Sequence, residues 1–133
     1  ARALPEKAIG RLAAMASEMV KQHTLAGKDE NGTAFAPYSR AYLSRMVKKG
    51  RKQAEQHVDL FDTGNMFRAM QWQQDAGLPS GYLFFTRAEE NEKAAWHHLG
   101  LGSNPKRAFF GIQPDEERRL SVYLAKMYKE SVG

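Results

Sequence analysis

The sequence predicts an α+β fold: a small, mainly antiparallel sheet packed by an N-terminal and a C-terminal helix. Two patterns predict it. Apolar residues recur at three- and four-residue spacing near both ends of the chain, the period of an amphipathic helix. Between them lie two short aromatic runs, "YLFFTR" and "RAFFGI", which read as strands. At 133 residues, with no long linker and no internal repeat, the chain is expected to form a single domain, 1–133.

Residues 4–23 carry the first helical pattern. Leu4, Ala8, Ile9, Leu12, Met15, Met19 and Val20 make one apolar stripe, and Pro5 fits a first turn, where its missing N–H costs nothing. The stripe reads as a core face, or in part as a surface against a neighbouring copy. "GKDENGTAFAPYS", residues 27–39, reads as a loop. Its acidic start is not a calcium loop, because Thr33 and Ala34 break the ligand spacing. Residues 27–37 offer little apolar surface and are expected to become ordered only on assembly. Ser39 can cap a short helix with Tyr42, Leu43, Met46 and Val47 on one side, ended by Gly50.

Asp62 or Thr63 can cap a further helix starting near Gly64, with Met66, Phe67 and Met70 facing a core and strand taking over near Trp72. "GLPSG", residues 77–81, is a turn, and residues 82–87 are the first aromatic strand. "AEENEKAAWHHLG" reads as a solvent-facing turn leading into a short helix. Residues 107–112 read as a second aromatic strand. Pro114 opens the last helix, with Asp115, Glu116 and Glu117 matching its positive end. Leu120, Tyr123, Leu124, Met127 and Tyr128 form its buried stripe.

Charge is uneven. Residues 1–60 hold 11 Lys and Arg against 6 Asp and Glu, whereas residues 61–133 hold 9 of each, so the net +5 (11 − 6) lies in the first part. Arg40, Arg45, Lys48, Lys49, Arg51 and Lys52 occur with no acid among them. Such a patch can meet nucleic acid or an acidic protein surface; a solvated helix end is its ordinary reading. The N-terminus shows no apolar signal core, so export is not indicated. No apolar run approaches the ~20 residues that cross a bilayer, so no membrane contact is expected.

The residues that carry chemistry are sparse. With no cysteine, disulfides and thiolate sites are excluded. His97 and His98 are adjacent, and neighbouring side chains diverge on helix or strand, so they make a poor shared ligand pair. One is expected to pack or bond backbone while the other faces solvent. His23 and His57 read as residues of basic loops. Zinc needs three or four convergent ligands, and "GLGSNPKR" lacks the ending of a phosphate loop. Neither catalytic residue, metal nor cofactor is expected.

The order of the pieces carries more than any one of them. Asn31-Gly32 with Phe35, Pro37 and Ser39 comes first. Then follow Leu60, Thr63, Gly64 and Met66; His97 or His98 with Gly100; and Arg107, Phe109 and Gly111. Over most of residues 29–125 this resembles the bacteriophage virion morphogenesis family, the tail-completion proteins of the head–tail junction. The chain departs from that pattern at Ala108, where the family usually has proline, and in "LGLGSNP", usually richer in glycine and arginine. The resemblance implies a structural protein of the virion, assembled in the host cytoplasm. It implies a homo-oligomeric ring, hexameric, between the head connector and the tail tube or tail terminator, with DNA passing through its lumen. Arg107, Phe109, Phe110, His97 and His98 become subunit-interface candidates. On a strand, Phe109 and Phe110 would face opposite sides, one to the core and one free for a neighbour; Arg107 would pair with an acid across the boundary. Two rivals stand beside this reading: a small basic nucleic-acid-binding protein, and a small hydrolase or metal enzyme using His97 or His98.

Overall fold

The computed structural model describes residues 7–50, 60, 65–74, 80–101 and 105–132. The fold is α+β. In chain order the elements are α1 (Ala8–Leu25), α2 (Arg40–Lys48), α3 (Asn65–Ala69), β1 (Met70–Gln74), β2 (Gly81–Phe85), α4 (Ala88–Leu99) and α5 (Pro114–Val132). β1 and β2 pair antiparallel, with Met70 opposite Phe85 and Trp72 opposite Leu83. α1 packs against both strands and against α5. Among the described residues no helix is long and apolar enough to cross a membrane.

α1 buries Ala8, Met19 and Val20 as the stripe predicts, but it runs two residues past the expected end at 23, and its buried face continues through His23 and Thr24. The Pro5 turn, the Asp62 or Thr63 cap, and most of the "GLPSG" turn lie outside the described residues. The strand after α3 begins at Met70, ahead of Trp72. Ser39 caps α2, its Oγ accepting from the Tyr42 N–H at 3.2 Å, and Met46 is the residue that α2 buries. The "AEENEKAAWHHL" segment is helical from Ala88 on, not a turn: Glu89 and Glu90 occupy its first turn, where carboxylates favour helix. It ends at Gly100, whose φ of 70° is left-handed. A Cβ there would lie 2.8 Å from the Lys106 backbone nitrogen, so the position suits glycine twice over.

Phe109, wholly buried, shares one core cluster with Val20, Phe35, Leu60, Met66, Phe67, Met70 and Ala94. Phe35 is what the reading of residues 27–37 left out. It sits in the core, and the Asp29 carboxylate accepts from the N–H groups of Asn31 and Thr33 at 2.8 and 2.9 Å. The Lys28–Ala34 bridge closes the same loop. The loop is therefore built within one subunit.

The second aromatic strand is absent. Residues 107–112 form no ladder: the Phe109 N–H donates to the Arg107 carbonyl at 2.8 Å, and the Gly111 N–H to the Phe109 carbonyl at 3.0 Å. Such two-residue closures bend the chain repeatedly. The other backbone groups go elsewhere. Arg107 N–H donates to the His97 carbonyl, and the Ala108 carbonyl accepts from Glu30 N–H. Phe110 N–H donates to His98 Nδ1. A segment whose polar backbone is answered by residues elsewhere in the chain has no need of a strand partner.

Candidate functional site

Two groups of polar side chains meet the segment from Arg107 to Glu116, one at each end. The first was not legible as a site. His23, read as a loop residue, stands in the last turn of α1, 6% exposed. Its Nδ1 lies 3.0 Å from both carboxylate oxygens of Glu116, and its Nε2 lies 2.7 Å from the Phe109 carbonyl. A carbonyl can only accept, so Nε2 carries a proton, and a second proton is shared between Nδ1 and the carboxylate. Glu116 Oε1 also accepts from the Gln113 N–H at 2.8 Å. That is the reaching-back half of a capping box at the start of α5. Two signals were present in the sequence: His23 follows Met19 and Val20 at helical spacing, and Glu116 stands three residues after Gln113.

The second group is centred on Arg107, 5% exposed. Its Nε donates to the Ala36 carbonyl and its Nη2 to the Pro37 carbonyl, each at 2.9 Å. The guanidinium lies over the Tyr38 ring, 5.0 Å from its centre, and Tyr38 Oη in turn accepts from the Leu60 N–H. The sequence reading gave Arg107 an acid across a subunit boundary; its partners here are two carbonyls and a ring of its own chain. Burial depresses the Arg107 pKa, against the raising influence of Tyr38 and Tyr42.

His97 and His98 diverge as adjacent residues must, but neither simply faces solvent. The His98 Nδ1 accepts from Phe110 N–H at 3.2 Å, and its ring meets Phe109 edge-on. His97 has a buried Nδ1 with no partner among the described residues. Burial first, then the charges of Arg107 and Lys93, push its pKa down from 6.5 to about 4. His97 and Arg107 share the wall of a cleft of about 530 Å³ with Tyr38, Ser39, Tyr42 and Arg45. Arg45, exposed on α2, lies 5.6 Å from the centre of the Tyr42 ring.

Phe109 and Phe110 do not face opposite sides, since without a strand there is no alternation. Phe109 is 0% exposed. Phe110 is half-buried against the same core, 5.1 Å from the Phe85 ring centre. Of the basic tract, Arg40, Arg45 and Lys48 lie on α2 and Lys49 at its end; Arg51 and Lys52 lie outside the described residues, as does His57. Among the described residues no three His, Asp or Glu side chains are grouped to hold a metal ion. Comparison with protein-family models, curated proteins and solved structures gives no match for this chain.

Proposed function

We propose that the chain is a structural protein of a bacteriophage virion, of the neck or tail-completion type. It acts as a hexameric ring joining the tail to the head connector, through repeated contacts around an axis and without turnover. The observation that carries this reading is how the residues of the resemblance are used. Phe35, Leu60, Met66 and Phe109 belong to one core cluster. Gly111 leaves room for Glu30, whose Cβ would be 2.8 Å from a Cβ at that position. Gly100 lets α4 end against Lys106, and Arg107 ties down the carbonyls of Ala36 and Pro37. Stretches far apart in sequence are thereby fastened into one unit, which is the work of a building block.

Contacts with other copies are supported by what stays outside. Trp72 and Tyr82 on the two-stranded ribbon, and Trp96, Leu99 and Leu101 around the end of α4, are each more than 40% exposed (43, 44, 44, 57 and 45%). A ribbon of two strands is weak alone, and among the described residues no third strand pairs with its edges, which a neighbour can extend. The interface assignment moves accordingly: Phe109 and Arg107 support the subunit from within, and these exposed side chains face the neighbour.

Native mass spectrometry of the purified protein tests the reading. A closed ring of copies is the expected result. A monomer that binds DNA tightly, with steep salt dependence, would favour the small basic nucleic-acid-binding protein instead.

A further inference from the structure

We infer that the cleft between α2, residues 36–39 and the His97–Arg107 wall is a binding site for a phosphate group, with Arg107 as its floor and Arg45 as its rim. The inference does not depend on the ring.

The floor is a buried cation answered only by neutral groups. The two carbonyls and the Tyr38 face fix the guanidinium in place, yet no carboxylate among the described residues contacts it. A buried charge is costly without a counter-charge. Here the missing charge has a place to enter, because Arg107 lines a cleft of about 530 Å³, well within the size range of ligand sites. A planar guanidinium held by two of its donors keeps other N–H groups for an oxyanion.

The rest of the lining has the same sign or none. Arg45 stands at the rim over the Tyr42 ring. α2 starts at Arg40, directly after Ser39, so the positive end of its dipole points to this side. Tyr38, Ser39 and Tyr42 add hydroxyl groups, and His97 adds an imidazole. No acidic side chain is among the residues that line the cleft.

Charge beyond the cleft favours phosphate over carboxylate. Arg40, Arg45, Lys48 and Lys49 continue along α2 and its end without an acid. Arg45 at the rim and Lys48 three residues on, on neighbouring positions of the same helix face, suit a chain of phosphodiesters, one group seated and the next met along the helix. The same pocket accepts a free phosphate.

The test is thermal unfolding of the full chain in inorganic phosphate and in chloride at equal ionic strength, for the parent and for Arg45→Gln. Phosphate stabilises proteins generally by exclusion from their surface, so the quantity read is the difference between the two proteins. Arg45 is exposed, and its replacement leaves the fold standing. The parent should gain about 3–5 °C more than the variant at saturation. A duplex oligonucleotide distinguishes the sources. If the variant's log affinity against log salt is shallower by about 0.9, one phosphodiester contact has been lost. If the oligonucleotide is indifferent to Arg45 while phosphate is not, the occupant is a free phosphate group. An equal gain in parent and variant would overturn the site. So would binding of a polyglutamate peptide that needs Arg45 while phosphate has no effect.

Discussion

Glu116 and Arg107 are both buried charged groups on the same stretch of chain, and they are balanced in different ways. Glu116 faces the His23 imidazole and a backbone N–H, and the centre is closed: donor meets acceptor, and the two side chains share the proton that sets their charge. Arg107 faces two carbonyls and a tyrosine ring. Those carbonyls are satisfied, but the charge is not balanced and part of the guanidinium's donor set stays open. Beside it stands His97, held neutral by burial and by its cationic neighbours. A closed centre fastens α1 to α5 and can do little else. An open one fastens the segment at residues 36–37 and leaves an unbalanced field in a cleft.

The closed centre should be the more expensive to break. Glu116→Ala leaves the buried His23 Nδ1 and the Gln113 N–H without acceptors. Removing one partner of a buried pair costs about 3–5 kcal/mol, a large part of a domain's total of roughly 5–15 kcal/mol. His23→Ala should cost a similar amount. The double variant should fall well short of the sum, because each single change already destroys the pair. Urea unfolding of the three variants measures this. Strictly additive effects, each under about 1 kcal/mol, would mean that the two centres are not different in kind.

The contrast also marks how much the sequence could show. The α+β class, α1, α2 with its Ser39 cap, the β2 strand and α5 were legible because each rests on local periodicity or a local cap. Segment 107–112 was not. "RAFFGI" has strand composition, but its conformation is decided by distant groups: His23, Glu30, His97 and His98 all bond to its backbone. Aromatic content cannot report that. The candidate site was half legible for the same reason. His97, Arg107 and Arg45 were singled out as separate hints, and it is the anchoring of the Ala36 and Pro37 carbonyls by Arg107 that brings them to one cleft. His23 was misplaced because, as a polar residue at the end of the helical pattern, it was left off the buried stripe that it continues.

The open centre should reveal itself through pH. The pKa of His97 is about 4 in the folded protein and 6.5 as the ordinary value, so the unfolded chain binds a proton more readily. Its contribution to stability is complete above about pH 6.5 and is lost as pH falls from there through 4. The gap corresponds to on the order of 3 kcal/mol at the acid limit. His97→Gln removes the titration, so the fall in stability between pH 6.5 and 4 should be shallower than in the parent. Denaturant midpoints over that window give the comparison. Parallel curves would show that His97 is not held neutral by its surroundings.

The smallest effect is expected where charge is exposed. Lys48 and Lys49 follow one another at the end of α2, both open to water. Lys48 is in the last turn, where a cation gains a little from the helix dipole. Exposed cations of this kind contribute at most a few tenths of a kcal/mol each, since water screens them and long side chains resist being fixed. Replacing both with Gln should therefore move the thermal midpoint by no more than about 2–3 °C, in either direction. Arg107→Gln removes one charge where the lysine pair removes two, but it also takes away a buried group that holds two carbonyls, whose loss as partners costs about 1–3 kcal/mol for each acceptor left unsatisfied. Thermal unfolding of the two variants side by side separates exposed from buried cations of like sign. If the lysine pair proves as costly as Arg107, the basic face of α2 is part of the fold's support, and its charge is not free to serve a partner.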